Sequence, residues 1–352
     1  MRTKIVYLSL IAVVATIILT CSGDKPVPKS AAGGKPAPTL SSMSDSATKA
    51  QSQAPLPQSD RYYVLDGRAN TIFEIDLNNN KISKRIAAAD VVAIAYDMGR
   101  DWIYEAITKP QPELKIFDPK QNRYLQSFAF PEPPSDLLFH PIKKHLYIIS
   151  EDSTYFRVFV PDSMKFPFQF PLWITDKGKI GPRAMSPGPA GKIVMANGAR
   201  GSVTEMLTDN NYIYQTVIIH EAKSIDNAVF SFDGNSTFCC DSKQGKIFRV
   251  EFGSGDILKK KEGLDNPRYL QFEVNSRTLA VVVGKTDVLM LNQDSLVETG
   301  RVNLEQYGDN ILSLLILPKA NYAEITMDYK GVTRWLRFDL KTWQPLRLVE
   351  LI

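Results

Sequence analysis

The chain has 352 residues, 44% of them hydrophobic and 23% charged, an ordinary globular composition with length for one large domain or two small ones. Its 42 Lys and Arg against 38 Asp and Glu leave a net charge of +4, which argues against a dedicated nucleic-acid binder, because such proteins concentrate basic residues on one face. The one basic run, Lys259-Lys260-Lys261, precedes Glu262-Gly263 and reads as a solvated hairpin turn.

In chain order, residues 1–20 read as an export signal. Arg2 and Lys4 give a charged start, and the uncharged apolar stretch "IVYLSLIAVVATIILT" runs to Cys21. Ile18-Leu19-Thr20-Cys21 resembles a bacterial lipobox, with Thr20 where that motif prefers Gly, Ala or Ser. The resemblance implies a diacylglycerol on Cys21, which becomes the mature N-terminus, and the Ser22 that follows implies outer-membrane rather than inner-membrane sorting. An uncleaved membrane anchor and a plain secretory signal are the alternatives. All three export the rest of the chain, and the lipid-anchored reading places it in the cell envelope.

Residues 21–59 are rich in Ser, Pro, Ala and Lys and nearly free of large apolar side chains. Such a segment buries too little surface to offset its ordering entropy, so it reads as a lipid-bearing Cys followed by a flexible tether. The propeller-like remainder is assigned to residues 60–352. Its only cysteines, Cys239 and Cys240, are adjacent. Neighbours in a strand point to opposite faces, and disulfide geometry favours a wider separation, so both read as unpaired small hydrophobes.

From residue 60 onward, short runs of Val, Ile, Tyr and Phe alternate with Asn, Asp, Gly and Pro turns. A strand–turn–strand step recurs, as in "VVAIAYDMGRDWIYEAI", "DLLFHPIKKHLYIIS" and "AVFSFDGNSTFCCDS". Its turn residues Asp97, His140, Ser186, Asp233, Glu273 and Pro318 lie 43, 46, 47, 40 and 45 residues apart. A second landmark closes each third strand, at Asp76, Asp118, Val160, Glu251, Asn292 and Asp339. Four short strands in roughly 40–45 residues is the period of a propeller blade. The predicted fold is all-β: a seven-bladed β-propeller of four-stranded antiparallel blades, with six or eight blades as the alternative. The strand tally comes to roughly 27 where seven full blades need about 28, so either one blade has three strands or the segment before Asp60 supplies another.

The steps "F-H-P-x-K-K-x-L-Y" and "F-D-G-N-S-T-F", with "ANTIFEIDLNNNKISKRI", resemble the repeats of YVTN-type, NHL-like bacterial propellers. That resemblance covers residues 61–352 and implies architecture more than function. WD40 propellers fit less well, because no Trp-Asp dipeptide closes a third strand.

Chemistry is sparse. His140 and His145 lie five residues apart, but the only other histidine is His220. A metal site needs three or four converging ligands, so His140 reads as a turn residue and no metal site is assigned. No catalytic residue is assigned either. The loops leading into each first strand carry Asp90, Asp136, Arg183, Asp226, Asn227, Arg268, Asp309 and Asn310. On one rim of a central channel these form a candidate binding site for an envelope protein, a peptide or a polar ligand; as turn formers they need no ligand. No cofactor is expected, with Ca²⁺ in the channel as the exception to test. The alternative function is a lactonase- or lyase-like propeller enzyme using such a cation. The aromatic, Pro-rich segment 159–182, with Phe166, Phe168, Phe170 and Trp173, reads as the outer strand of the third blade, with Phe166 and Phe170 buried rather than offered to a partner.

Overall fold

The computed structural model describes residues 61–140, 142–150, 155–174, 178–179, 181–198, 201–273, 276–317 and 321–351. The signal, Cys21, the tether and Asp60 lie outside the described residues, as does Pro318. The remainder forms seven blades. Blade 1 holds β1 (Arg61–Asp66), β2 (Thr71–Asp76) and β3 (Lys81–Ala87). Blade 2 holds β4 (Val91–Asp97), β5 (Trp102–Ile107), β6 (Glu113–Asp118) and β7 (Arg123–Ala129). Blade 3 holds β8 (Asp136–His140), β9 (His145–Ile149), β10 (Tyr155–Val160) and β11 (Lys165–Pro171); a small hairpin, β12 (Trp173–Ile174) and β13 (Gly178–Lys179), follows it. Blade 4 holds β14 (Pro182–Pro187), β15 (Lys192–Asn197), β16 (Ser202–Leu207) and β17 (Tyr212–Ile218). Blade 5 holds β18 (Asn227–Phe230), β19 (Ser236–Asp241), β20 (Lys246–Glu251) and β21 (Ile257–Lys261). Blade 6 holds β22 (Arg268–Glu273), β23 (Thr278–Val283), β24 (Asp287–Asn292) and β25 (Glu298–Asn303). Blade 7 holds β26 (Asn310–Leu317), β27 (Tyr322–Tyr329), β28 (Val332–Asp339) and β29 (Pro345–Leu351).

Every blade is an antiparallel meander of consecutive strands. Among the described residues blade 1 has three strands, and β1 stands where the other blades have their second. The deficit seen in the strand tally therefore falls in the first blade.

Blades pack face to face, and the core is the set of layers between them. Cys239 and Cys240 show the logic. Both are buried and unbonded, and they sit on opposite faces of β19. Cys239 packs with Val194, Val203 and Phe248, towards blade 4, whereas Cys240 packs with Leu279 and Leu289, towards blade 6. Burial pushes both thiols up.

Four of the residues that close a third strand explain the turn that follows. Asp76 accepts the N–H groups of Asn78 (2.8 Å) and Asn79 (3.1 Å) through Oδ1, while its carbonyl accepts the N–H of Asn80 (2.7 Å). Asn80 has φ +52°, a left-handed conformation that Asn tolerates. Asp118, Asn292 and Asp339 make the same side-chain pair of bonds. A β-bulge follows in all seven outermost strands.

One sequence expectation needs adjustment. Lys259-Lys260-Lys261 is not a turn but the end of β21. The run is solvated as expected, because an outermost strand has a free edge, and lysines there discourage pairing with another chain. In β11, the outermost strand of blade 3, Phe166 packs half-buried against Phe128, Phe130 and Phe159, and half-buried Phe170 packs towards blade 4, while Phe168 is 37% exposed. The side chain of Trp173 lies outside the described residues.

Candidate functional site

The inner strands β4, β8, β14, β18, β22 and β26 pack side by side around the axis. Their first residues carry the rim groups picked out in the sequence, and the structure joins these groups blade to blade. Asp136 of blade 3 accepts the N–H of Met185 in blade 4 (2.9 Å). Arg183 of blade 4 donates to Asp226 beside blade 5 and to Ser224 (3.3 Å). Asn227 of blade 5 accepts the N–H of Leu270 in blade 6 (3.1 Å). Arg268 of blade 6 donates to Asn310 (2.7 Å) and the Ile311 carbonyl (3.1 Å) of blade 7, and to Gly284 of its own blade (2.6 Å).

Local packing makes these reaches feasible. Gly198 lies against the Arg183 guanidinium, and a Cβ there would stand 2.0 Å from Nε. Asp226 is held from its other side by the N–H (3.1 Å) and hydroxyl of Ser242. Asp309 and Asp90 are the exposed members. Asp309 accepts the N–H of Lys330 (2.8 Å), and the Asp90 carbonyl accepts the N–H of Thr108 (3.2 Å) from a left-handed φ of +58°. Asp136, Arg183, Asp226, Arg268 and Asn310 are half-buried. The structure thus ties rim residues across four successive blade junctions, pairing Arg183 with Asp226 and Arg268 with Asn310, and leaves all of these half-exposed except Asn227, which is buried.

At the opposite end lie the turns between first and second strands, and there His140 finds its role. Its Nδ1 accepts the N–H of Lys143 (3.3 Å), and its carbonyl accepts the N–H of Lys144 (2.7 Å), which has φ +54°. In blade 2, Asp97 does the same job with a carboxylate, accepting from Gly99 (2.9 Å) and Arg100 (3.2 Å) before left-handed Asp101. An accepting Nδ1 requires a neutral ring. Burial, aided by the Lys143 charge, pulls the His140 pKa down to about 4. Among the described residues no three His, Cys, Asp or Glu side chains converge as metal ligands.

Sequence reading missed four carboxylates buried inside blades: Glu74, Glu105, Glu205 and Glu324. The signal was present, since each is an acid at an interior position of a largely apolar strand, as in "TIFEID" and "WIYEAI". They occupy four different blades and do not converge on one site. Glu74 accepts from Tyr63 (2.9 Å) and Ser83 (2.7 Å). Glu205 accepts from Gln215 (2.8 Å), the Gly253 N–H (3.2 Å) and Thr237 (3.4 Å). Glu105 accepts from Tyr124 (3.1 Å) alone, and its Oε1 is unbonded. Burial raises its pKa to about 7. Glu324 pairs with Arg337 (2.6 Å).

No family model matches the chain, and no curated protein matches it by sequence. Many solved chains share the fold. One is a chain of hydrazine synthase from Kuenenia stuttgartiensis, with a TM-score of 0.64 and 14% identity over 80% of this chain and 93% of that one. At that identity the likeness is one of fold.

Proposed function

We propose that the protein is an exported, lipid-tethered propeller of the YVTN/NHL-like type that holds an envelope protein, peptide or polar ligand at its inner-strand rim. The observation that carries this reading is the rim itself: carboxylate, guanidinium and amide groups from successive blades, half-exposed and fixed by bonds to their neighbours. Groups already held in place lose little freedom when a partner arrives, so a polar partner is bound at low entropic cost. The lipobox-like sequence before Cys21 and the polar tether supply the anchoring half of the reading. On this reading the partner meets the propeller near a membrane, with the outer membrane favoured over the inner.

Two experiments test the halves separately. Photo-crosslinkers placed at Asp90 and Asp309, the exposed rim positions, should capture a discrete envelope partner in native cells. Capture no better than from a crosslinker in the outermost strand β21 sinks the rim. Radiolabelled palmitate should enter the wild-type chain and not a Cys21→Ser variant. An unlabelled wild type sinks the lipid anchor while leaving the rim reading standing.

A further inference from the structure

Arginine pairing sets one residue of the rim apart. Among the described residues, each arginine that is buried or half-buried lies within 3.5 Å of a carboxylate, from Arg61 beside Asp101 to Arg337 beside Glu324, with one exception. The exception is Arg268. Half-buried, it donates to the Gly284 carbonyl (2.6 Å), the Asn310 side chain (2.7 Å) and the Ile311 carbonyl (3.1 Å), all of them neutral oxygens. Its guanidinium is held in place, but no carboxylate among the described residues neutralises it at ion-pair distance.

The repeat shows how the counter-charge is withheld. Asp226-Asn227 and Asp309-Asn310 are the same dipeptide at the same place, the entry to an inner strand. At the first, Arg183 of the preceding blade takes the Asp. At the second, Asp309 accepts the Lys330 N–H (2.8 Å) within its own blade, and Arg268 of the preceding blade takes the Asn instead. A guanidinium drawn partly out of water without a counter-charge is disfavoured, and an anion that reaches it recovers the loss through charge-assisted hydrogen bonds.

The backbone is strained at the same place. A bulge between Arg268 and Gln271 sets Tyr269 at φ +52°, in the left-handed region that a bulky residue rarely adopts. The Tyr269 ring lies 5.5 Å from the Arg268 guanidinium and packs on the core between blades 6 and 7. Strain of this kind persists where the surroundings enforce it, and it gathers at ligand sites. The neighbours also limit the charge a ligand can bring. Asp309 adjoins Asn310, a Cβ on Gly284 would stand 3.1 Å from Asp265 Oδ2, and both acids are exposed. One negative charge is accommodated between them, and a second is repelled.

We propose that Arg268 is the anion-binding element of the rim and receives a singly charged carboxylate of the ligand. This deepens the rim reading, on which the envelope source of that ligand rests.

Acetate is the probe, exchanged for chloride at constant ionic strength in the full chain carrying nitrogen-15-labelled arginine. The Arg268 Nε–H signal, identified by its absence in Arg268→Gln, should shift saturably. That of Arg183, already paired with Asp226, should move several-fold less. Equal movement of the two, or none at Arg268, overturns the proposal. So does saturation by inorganic phosphate at a lower concentration than by acetate, which would mean a site for more highly charged anions. Asn310→Asp supplies the missing charge beside Arg268. It should raise the unfolding midpoint and abolish the acetate response, and an undiminished response counts against the proposal. No cellular partner enters this test, so it is separate from crosslinking at Asp90 and Asp309. A responsive Arg268 with no captured partner upholds the anion site and sinks the envelope partner, whereas capture with an unresponsive Arg268 sinks this inference alone.

Discussion

Glu205 and Glu324 occupy comparable places, each fully buried in the face of a blade, yet their surroundings differ. Glu205 bridges blades 4 and 5, and both of its oxygens receive donors: Gln215, Thr237 and the Gly253 N–H. Glu324 sits between blades 7 and 1 with one bonded oxygen and one charged neighbour. Burial raises both pKa values, and for both it is the leading cause. The contrast shows two ways to keep a carboxylate out of water. Several neutral donors can spread the cost, or a single cation can offset it and leave both partners dependent on each other.

That dependence yields the largest expected effect. Glu324→Ala leaves Arg337 buried without its carboxylate and should destabilise the protein by about 3–5 kcal/mol. Urea unfolding followed by circular dichroism measures it. Replacing both residues with apolar ones of similar volume should recover most of the loss, and a double variant as unstable as Glu324→Ala would show that the pair contributes shape rather than charge.

Glu105 sharpens the comparison as an intermediate case, with one neutral donor. Its folded pKa, near 7, lies above that of an unfolded glutamate, so the folded state binds the extra proton. Stability is therefore lost as pH rises from about 4.5 through 7, by roughly 3 kcal/mol for this group alone. Glu105→Gln should remove that slope, and unfolding midpoints across pH 4–8 that keep the wild-type slope would contradict the assignment.

The smallest effect is expected at His140, whose pKa is shifted the other way. With a folded pKa near 4 and an ordinary value near 6.5, neutral His140 supports the fold above about pH 6.5, and that support is lost as pH falls towards 4. His140→Asp should cost under about 1 kcal/mol at pH 7, because Asp97 shows that a carboxylate serves the same turn. It should also abolish the sensitivity between pH 6.5 and 4. His140→Leu, which orphans the Lys143 N–H, should cost about 1–2 kcal/mol more than the Asp variant.

The blades were legible because each one rests on local chemistry. An acid at the end of a third strand is a turn former whose partners lie two to four residues away, so Asp76, Asp118 and Asp339 announce their turns in any reading of the chain. His140 was placed correctly by register, although its accepting Nδ1 could not be read from sequence. The rim bonds were hidden for a different reason. Arg183 and Asp226, or Arg268 and Asn310, are separated by one repeat of 42–43 residues, and no local pattern links them. A search for complementary polar residues one period apart would have found them. The buried glutamates were passed over because an acid in a strand suggests a solvent-facing position. Only the next blade, packed over that face, makes it an interior one.

The contiguity of each sheet bears on how the molecule is made. β-rich folds are slow when strands distant in sequence must find each other. Among the described residues every ladder joins neighbours along the chain, so a polypeptide delivered from its N-terminus can complete one blade before the next arrives. Among the described residues one distant encounter remains, the docking of Trp335 and Leu351 onto the surface that Tyr62 has kept waiting since the first blade. Closing the ring is then a step of its own, and it depends on β29.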